Sequence, residues 1–441
     1  MFNNKQLTRL IIPLIIEQTL AVLVGMADVF MVSEAGESAV SGVSLVNTIN
    51  LLLITAFGAL ATGGSVVISQ HIGRKDYKNA NKAANQLILL VSVISFVFMI
   101  ISLVGNPWIL KLGFGRVEAE VMKNARIYFY ITALSFPALG IYNGCAAIFR
   151  SMGNSKVSMY TSLIMNIVNI TGNAVFIYGL HLGAAGISAA TLFGRTIAAL
   201  IMLYLVRKED NLVHIDRRFR LGYHPHTIKN ILRIGVPSGM ESAMFQFGKI
   251  LVQSFVAGLA TAEIAANAVA MTLVEIEVIP GHAIGLAMIT VVGQCMGAGD
   301  YESMKKNVKK LMKLAYICMG SVSLCLVLCS GSMINLYQLS DTASKVAFSI
   351  VVYHTVAAVL VWPLSFVLPN AFRAAGDVRY PMIVSIVSMW IFRVVISYIL
   401  IEYVKTGALG VWIAMSMDWL ARGSFYLFRY KKKYKNKIQT E

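Results

Sequence analysis

The stretch Gln70-His71-Ile72-Gly73-Arg74-Lys75-Asp76-Tyr77 returns later in the chain as Gln294-Cys295-Met296-Gly297-Ala298-Gly299-Asp300-Tyr301, at an offset of 224 residues. The same offset pairs other residues that are widely spaced in each half: Pro13 with Pro237, Glu17 with Glu241, Gly183 with Gly407, and Gly186 with Gly410. With a shift of one residue, Phe149-Arg150-Ser151-Met152-Gly153-Asn154 matches Phe372-Arg373-Ala374-Ala375-Gly376-Asp377. One register kept across most of each half indicates an internal duplication.

The composition places both halves in a membrane. Of the 441 residues, 57% are hydrophobic and 13% are charged, which leaves too little polar surface for a soluble fold of this size. A helix that crosses a bilayer needs about 20 mostly apolar residues. Windows of that length predict twelve spans, six in each half, at residues 10–32, 43–68, 86–106, 127–148, 158–180, 184–206, 231–258, 267–293, 312–335, 349–371, 380–402 and 408–429. The first apolar run is too long for a signal-peptide core and is expected to stay in the mature protein.

The basic residues predict the orientation of the spans. The net charge is +17, but Lys and Arg are concentrated in alternate loops rather than on one soluble face, so no nucleic-acid partner is expected. The positive-inside rule puts both termini in the cytoplasm, with the loop at 107–126 as one exception. Because six is an even number, the two halves enter from the same side and are related by a pseudo-twofold axis along the membrane normal.

These patterns predict an all-α membrane protein with twelve transmembrane helices in two homologous six-helix lobes. The expected N-terminal lobe covers residues 1–215, a cytoplasmic linker covers 216–230, and the C-terminal lobe with its basic cytoplasmic tail covers 231–441. Two such lobes facing one cavity expose it alternately to the two sides, which is the geometry of a secondary transporter. The sequence has no metalloprotease, phosphate-loop or nucleophile-base pattern, so neither an enzyme nor a cofactor is expected.

Two acids in the first span share one face of a helix. Glu17 and Asp28 are eleven residues apart, which is close to three full turns, so both lie on one stripe about 16 Å apart along the axis. An acid inside a span costs about 2.5 to 3.5 kcal/mol, so it faces either a wet cavity or partner groups in its own lobe. The residue 224 positions after Asp28 is Val252, so Asp28 stands outside the repeat, whereas Glu17 is repeated as Glu241. That asymmetry favours a functional role for Asp28.

Other polar groups in the chain allow structural interpretations. Arg195, Arg393 and Asp418 are expected to pair within a lobe, and His282 and His354 are typical of satisfied core histidines. In the duplicated loops that begin at Gln70 and Gln294, Gly ends one helix and Asp caps the next, or the loops contribute to gating. The five cysteines have no C-x-x-C spacing and predict no metal or redox site.

Over essentially its whole length, the chain resembles the multidrug and toxic compound extrusion (MATE) transporters. The resemblance rests on the two six-span lobes, the Pro-x-x-x-Glu openings at Pro13 and Pro237, the duplicated Gln-x-x-Gly-x-x-Asp-Tyr loops and the Phe-Arg-x-x-Gly-Asn/Asp turns. It implies a secondary active antiporter that exports organic, often cationic or amphipathic, compounds in exchange for H⁺ or Na⁺.

The resemblance also implies a cation-coupling set. In that family an acid in the first helix is a principal coupling residue, and Asp28 occupies the matching place. Asn169 and Asn173 match an Asn-x-x-x-Asp pattern of the fifth helix, although the second position is Asn in this chain. Thr191 matches a threonine of the sixth helix that joins the same cluster. The coupling ion remains open at this point, with H⁺ and a Na⁺ ion at Asp28 as the alternatives.

The second lobe departs from one branch of the family. That branch has an acid eight residues after the proline of the seventh helix and another in the tenth helix, but this chain has Phe245 at the first position and no acid in 349–371. The cation site of that branch is therefore not expected. The secondary acidic candidates in this chain are Glu17, Glu241, Glu275 and Glu277.

The resemblance sets expectations for partners and location. It implies a small organic substrate, a monomer, and a place in the bilayer of a bacterial cytoplasmic membrane. The alternative function is a flippase for a lipid-linked or polysaccharide precursor. Such proteins tend to line their cavity with basic residues, whereas the intramembrane set here is mainly acidic, with Lys249 as the main exception.

Overall fold

The structure is a computed structural model that describes residues 2–33, 36–114, 117–216 and 222–435. Within those ranges the chain is helical and forms no strand. The α-helices are α1 (Asn4–Ser33), α2 (Glu37–Gly73), α3 (Tyr77–Phe114), α4 (Ala119–Leu134), α5 (Phe136–Ser151), α6 (Ser155–Asn173), α7 (Gly183–Val206), α8 (Pro225–Val256), α9 (Thr261–Gly297), α10 (Tyr301–Asn335), α11 (Asp341–Trp362), α12 (Leu368–Ala374), α13 (Arg379–Ser388), α14 (Ile396–Glu402) and α15 (Ala408–Lys435). Three π-helical segments continue α6, α11 and α13, namely π1 (Ala174–Gly179), π2 (Pro363–Val367) and π3 (Met389–Val395).

Each of the twelve predicted spans falls on one helix or on one run of consecutive helices. In the ranges just given, nine helices are long and apolar enough to cross a membrane, or ten if the pair α4 and α5 counts as one span. That pair bends by 46° at Ser135, immediately before the first turn of α5. Pro137 lies in that turn, and a proline disfavours continuous α-helix through the residues before it. The two remaining long helices are α8 and α15, which lie on the predicted seventh and twelfth spans.

The backbone repeats its unusual conformations at the offset seen in the sequence. A positive φ is uncommon outside glycine, so a matched pair of such residues is a specific marker. Three pairs lie 224 residues apart: Lys75 (φ 60°) and Gly299 (φ 72°), His181 (φ 52°) and Lys405 (φ 61°), and Gly183 (φ 52°) and Gly407 (φ 63°). The two halves of the chain therefore turn in the same way at the same places.

The duplicated loops are helix caps. Asn79 donates its backbone N–H to Asp76 at 3.2 Å, and Ser303 donates its backbone N–H to Asp300 at 2.8 Å. These hydrogen bonds lower the pKa of both carboxyl groups below the ordinary value. The capping role predicted for the aspartates is confirmed, whereas the predicted role of Gly73 and Gly297 as left-handed ends is wrong. Each of these glycines is the last helical residue, and the left-handed residue is the second one after it.

The chain divides into two compact units, Asn3–Gly239 and Met240–Glu441, so the boundary lies inside α8 rather than in the predicted linker at 216–230. Residues 217–221 of that linker lie outside the described ranges. The core of the first unit includes Phe57, Phe129 and Phe136, all fully buried. The core of the second unit gathers side chains from α8, α9, α10, α11 and α15 around the buried ring of Trp412. Each unit thus has its own apolar core, as a lobe of the predicted kind requires.

Candidate functional site

The carboxylate of Asp28 lies next to an amide of α6. The side-chain nitrogen of Asn173 donates a hydrogen bond of 2.6 Å to Oδ1 of Asp28. Asn173 is fully buried, and Asp28 is half-buried on α1. A carboxylate held in this way is removed from bulk water on one side and satisfied by one neutral donor.

The hydrogen bonds continue from α6 to α7. The same nitrogen of Asn173 lies 3.3 Å from Oδ1 of Asn169, and Nδ2 of Asn169 donates to Oγ1 of Thr191 at 3.2 Å. The structure therefore brings the four predicted coupling residues into one chain of side chains that runs across α1, α6 and α7. Their role in coupling an ion remains a prediction.

Glycines on α6 and α7 make this contact possible. A Cβ at Gly172 would lie 2.9 Å from the Cβ of Ala190, and a Cβ at Gly194 would lie 3.0 Å from the carbonyl oxygen of Met165. Larger side chains at either position would push the two helices apart and separate Asn169 from Thr191. Segment π1 starts directly after Asn173 and changes the direction of the following side chains, as π-turns at functional sites commonly do.

One acceptor in this cluster has no partner. Among the described residues, Oδ1 of Asn173 is buried and forms no hydrogen bond. A cation, Arg195, is near enough to Asp28 to interact with it electrostatically, and its Nη1 donates to Oγ of Ser135 at 2.8 Å. The cluster therefore combines one acid, one nearby cation and one unsatisfied amide oxygen, a combination that can take up a proton or ligate a small cation.

Glu17 occupies a different environment. It is 6% exposed, it accepts a hydrogen bond of 2.7 Å from Oγ of Ser158, and its Oε1 lies 3.6 Å from Nη1 of Arg150. The shared stripe on α1 thus separates one acid that is paired with a cation from one, Asp28, that is held by an amide.

The repeat partner of Glu17 is paired in the same way. Oε2 of Glu241 lies 2.7 Å from Nη2 of Arg373. Both acids and both arginines belong to the duplicated motifs of the sequence. In each unit the pair connects the helix that carries the Pro-x-x-x-Glu motif to the helix that ends in the Phe-Arg turn. This duplication favours a structural role for Glu17 and Glu241.

Glu277 is the most deeply buried of the secondary candidates. Its Oε2 lies 3.0 Å from Nδ1 of His354, and Ser323 donates to its Oε1 at 2.5 Å. Glu277 is 0% exposed and His354 is 3% exposed, with the rings of Trp412 and Trp419 packed edgewise against the imidazole. The prediction of a satisfied core histidine agrees with this contact.

Glu275 takes no part in that cluster. It is exposed and forms no hydrogen bond or close ion pair within the described part of the chain. The four secondary candidates therefore fall into three environments: the arginine pairs of Glu17 and Glu241, the histidine contact of Glu277, and the surface position of Glu275.

The expected pairing of Arg393 with Asp418 is wrong. Oδ2 of Asp418 lies 2.5 Å from Nη2 of Arg422, and its Oδ1 accepts a hydrogen bond of 2.7 Å from Ser388. Arg422 was missed although it follows Asp418 by four residues on one helix, which is the spacing of a favourable pair. Arg195, expected to pair within its lobe, bonds to the hydroxyl of Ser135 instead of forming a close ion pair.

A comparison with known families assigns the chain. The MatE family model matches residues 13–175 and matches a second time at residues 237–399. The chain belongs to the MatE family. Both ends of the second match follow those of the first by 224 residues, so the family model recognises the duplication that the sequence showed.

Other MatE relatives cover nearly the whole chain. An uncharacterized transporter of Bacillus subtilis, YisQ, is 26% identical over 428 residues, which are 96% of this chain and 92% of that protein. A probable multidrug resistance protein of the same organism, YoeA, is 25% identical and covers 97% of this chain and 94% of its own. A solved MOP superfamily transporter from Pyrococcus furiosus superposes with a TM-score of 0.91 at 22% identity, covering 98% of this chain and 96% of that one.

These findings confirm the predicted family and fold class. The protein is a MATE transporter of the multidrug efflux family, an integral membrane protein that handles small organic compounds and not an enzyme. The family match and the multidrug-resistance relatives give no support to the flippase alternative.

Proposed function

We propose that this MATE transporter exports organic, often cationic or amphipathic, compounds in exchange for protons, and that Asp28 carries the proton. The observation that supports the proposal most is the hydrogen bond between Asn173 and Asp28 beside the unpartnered Oδ1 of Asn173. This amide has both a donor and an acceptor within one side chain, so it suits either protonation state of the acid.

The amide offers a specific response to proton uptake. An ionised Asp28 accepts a hydrogen bond, as it does from Nδ2 of Asn173. A protonated Asp28 instead carries an O–H that needs an acceptor, and a half-turn of the Asn173 amide presents Oδ1 to it. The half-turn removes the contact between Nδ2 of Asn173 and Asn169, and it places the two amides of α6 in a new relation. Protonation of one acid is thereby coupled to the packing of α1, α6 and α7.

This response accounts for antiport with a single acid. A substrate that favours the ionised arrangement and a proton that favours the neutral arrangement exclude each other through one two-state element. Binding of a proton from outside the cell releases the substrate, and loss of that proton to the cytoplasm restores substrate binding. Both termini are cytoplasmic in this scheme, in line with the distribution of basic residues.

Sodium fits the same cluster less well. Asp28, Asn169, Asn173 and Thr191 would hold the ion, but hard cations bind oxygen atoms. The nitrogen of Asn173 already points to the carboxylate, and only one oxygen of the amides is free. Within the described residues, no group of three or more His, Cys, Asp or Glu side chains is placed to hold a metal ion. We therefore propose H⁺ as the coupling ion.

Transport in proteoliposomes tests the proposal. The measurement follows accumulation of a fluorescent organic cation such as ethidium under an imposed pH gradient, an imposed Na⁺ gradient, or neither. We expect the pH gradient alone to drive accumulation, and we expect Asp28→Asn to abolish it while Glu275→Gln, a change at an exposed acid, leaves it intact. Accumulation that depends on Na⁺ and not on pH would contradict proton coupling.

A further inference from the structure

Two cations of the second unit line one pocket. The pocket has a volume of about 390 Å³ and lies among α8, α9, π3 and α15, with Lys249 and Arg393 in its wall. Two amides, those of Gln253 and Asn267, also face it, and the remaining wall is apolar, formed by Val252, Val256, Met271, Val411, Trp412 and Met415. All of these residues belong to Met240–Glu441.

The guanidinium of Arg393 has no acid of its own. Arg393 is 6% exposed, and among the described residues its only hydrogen-bond contact is with the sulfur of Met389 at 4.0 Å. The ring of Phe245 lies 5.2 Å from the guanidinium carbon. The nearest acid, Asp418, is already bonded to Arg422 and Ser388. A buried charge without an ion partner is costly, so such a group is usually paired or functional.

Lys249 adds a second cation. It is half-buried and forms no hydrogen bond or close ion pair within the part of the chain that the structure describes. Glu275 interacts with it only at longer range and is itself exposed. Lys249, Arg393 and Arg422 together therefore outnumber the single buried acid of this region, Asp418, and the pocket carries an excess of positive charge.

Close packing brings the two cations to the same pocket. A Cβ at Gly248 would collide with the side chain of Met389, so α8 approaches π3 at a position that only glycine permits. Lys249 follows Gly248 directly, and Arg393 lies four residues after Met389. The two cations are thus fixed by backbone packing rather than by contact with a carboxylate.

A neutral donor completes the polar side of the pocket. Nε1 of Trp412 donates to Oδ1 of Asn267 at 2.9 Å, which fixes the orientation of that amide. Nδ2 of Asn267 has no partner among the described residues and remains available as a donor. Two cations and an amide N–H match the lone pairs of one carboxylate, and the apolar wall matches a hydrocarbon or aromatic body attached to it.

We propose that this pocket is an anion-binding site that holds the carboxylate of an amphipathic organic compound. It extends the range of ligands from cations to compounds that carry an acid group, including zwitterions. The site does not depend on Asp28 or on the identity of the coupling ion, because every residue in it lies in the second unit.

Binding of a matched pair of probes to the purified full-length protein tests this proposal. The probes are pyrenebutyrate, which has a carboxylate, and pyrenebutanol, which has the same aromatic body and no charge. We expect the carboxylate to bind at least about tenfold more tightly than the alcohol, since charge-assisted hydrogen bonds discriminate to that degree. Equal affinities for the two probes would overturn the proposal.

Substitutions assign the preference to the pocket. Lys249→Met and Arg393→Met are each expected to weaken pyrenebutyrate binding about tenfold and to leave pyrenebutanol binding unchanged. Arg393→Lys is expected to restore part of the preference, and Lys345→Met, which removes an exposed cation of α11 away from the pocket, is the control. Unchanged pyrenebutyrate binding in both methionine variants would overturn the assignment.

Thermal unfolding distinguishes a ligand-binding role for Arg393 from a structural one. Arg393→Met removes a buried charge that has no ion partner, so its unfolding temperature is not expected to fall below that of the parent protein. Loss of pyrenebutyrate binding together with a large drop in that temperature would overturn the ligand role for Arg393. Because binding is measured without any gradient, a failure of proton coupling at Asp28 leaves the result unaffected.

Discussion

Asn173 and Asp28 are joined by a hydrogen bond of 2.6 Å although 145 residues separate them in the chain. The bond connects α1 to α6 at the one intramembrane acid of α1 that has no cation as a hydrogen-bonded partner. It therefore ties the charge of Asp28 to the arrangement of two helices, which is what a coupling residue requires.

An exchange of the two side chains across this bond tests whether the pair acts as a unit. Asp28→Asn is expected to reduce pH-driven transport at least about tenfold, because the removal of a coupled group removes the coupling free energy. The double variant Asp28→Asn/Asn173→Asp places the carboxylate on α6 and the amide on α1, and it is expected to recover part of the activity. Rates of proton-driven uptake in proteoliposomes measure both. A folded double variant that is as inactive as Asp28→Asn would count against a shared site.

The duplicated Glu–Arg pairs predict stability effects. Glu17→Gln leaves Arg150 without its acid, and Glu241→Gln does the same to Arg373, so each change is expected to cost about 3 kcal/mol of stability. Thermal unfolding in detergent measures the loss, and transport per folded molecule is expected to persist. If Glu17→Gln abolished proton coupling without a change in unfolding temperature, Glu17 would belong to the coupling machinery.

The contact of Glu277 with His354 predicts an asymmetric result. His354→Ala leaves a fully buried carboxylate with Ser323 as its remaining donor and opens a cavity beside Trp412 and Trp419, so a loss of about 3 to 5 kcal/mol is expected. Glu277→Gln keeps the shape and a hydrogen-bonding amide, so it is expected to cost about 1 kcal/mol. Unfolding temperatures of the two variants provide the comparison, and equal losses would show that the pair is not what stabilises this region.

A cytoplasmic turn predicts a dependence of stability on pH. Burial alone would raise the pKa of Asp377, but hydrogen bonds from Lys433 and Arg429 hold it below the ordinary value. An acid with a lowered folded-state pKa contributes stability above its unfolded pKa of about 3.9 and loses that contribution as the pH falls through the folded value. The unfolding temperature is therefore expected to fall in this acidic range, and by less in Asp377→Asn. Identical pH profiles for the parent and the variant would contradict this role for Asp377.

Sequence reasoning predicted the order of the helices and the duplication, because apolar length and a fixed offset are properties of the chain itself. It also predicted that Asp28, Asn169, Asn173 and Thr191 are candidates for one cluster, through the resemblance to a family. The contacts of Glu277 with His354 and of Glu17 with Arg150 could not be predicted in this way. They depend on how each helix is rotated about its axis, and apolar composition all round a membrane helix carries little information on rotation.

The left-handed residues show the same limit at shorter range. Gly299 could be suspected of a positive φ, but its repeat partner is Lys75, and nothing in a lysine indicates that conformation. The repeat links the two positions, so the glycine of one half is the signal for the lysine of the other.

Proton release on substrate binding shows whether Asp28 holds the exchanged proton. Ethidium is added to purified protein in weakly buffered detergent solution near neutral pH, and a pH indicator records the protons released. We expect release of up to about one proton per molecule from the parent protein and none from Asp28→Asn at equal ethidium occupancy. Equal release from the parent and from Asp28→Asn would show that the exchanged proton is held elsewhere.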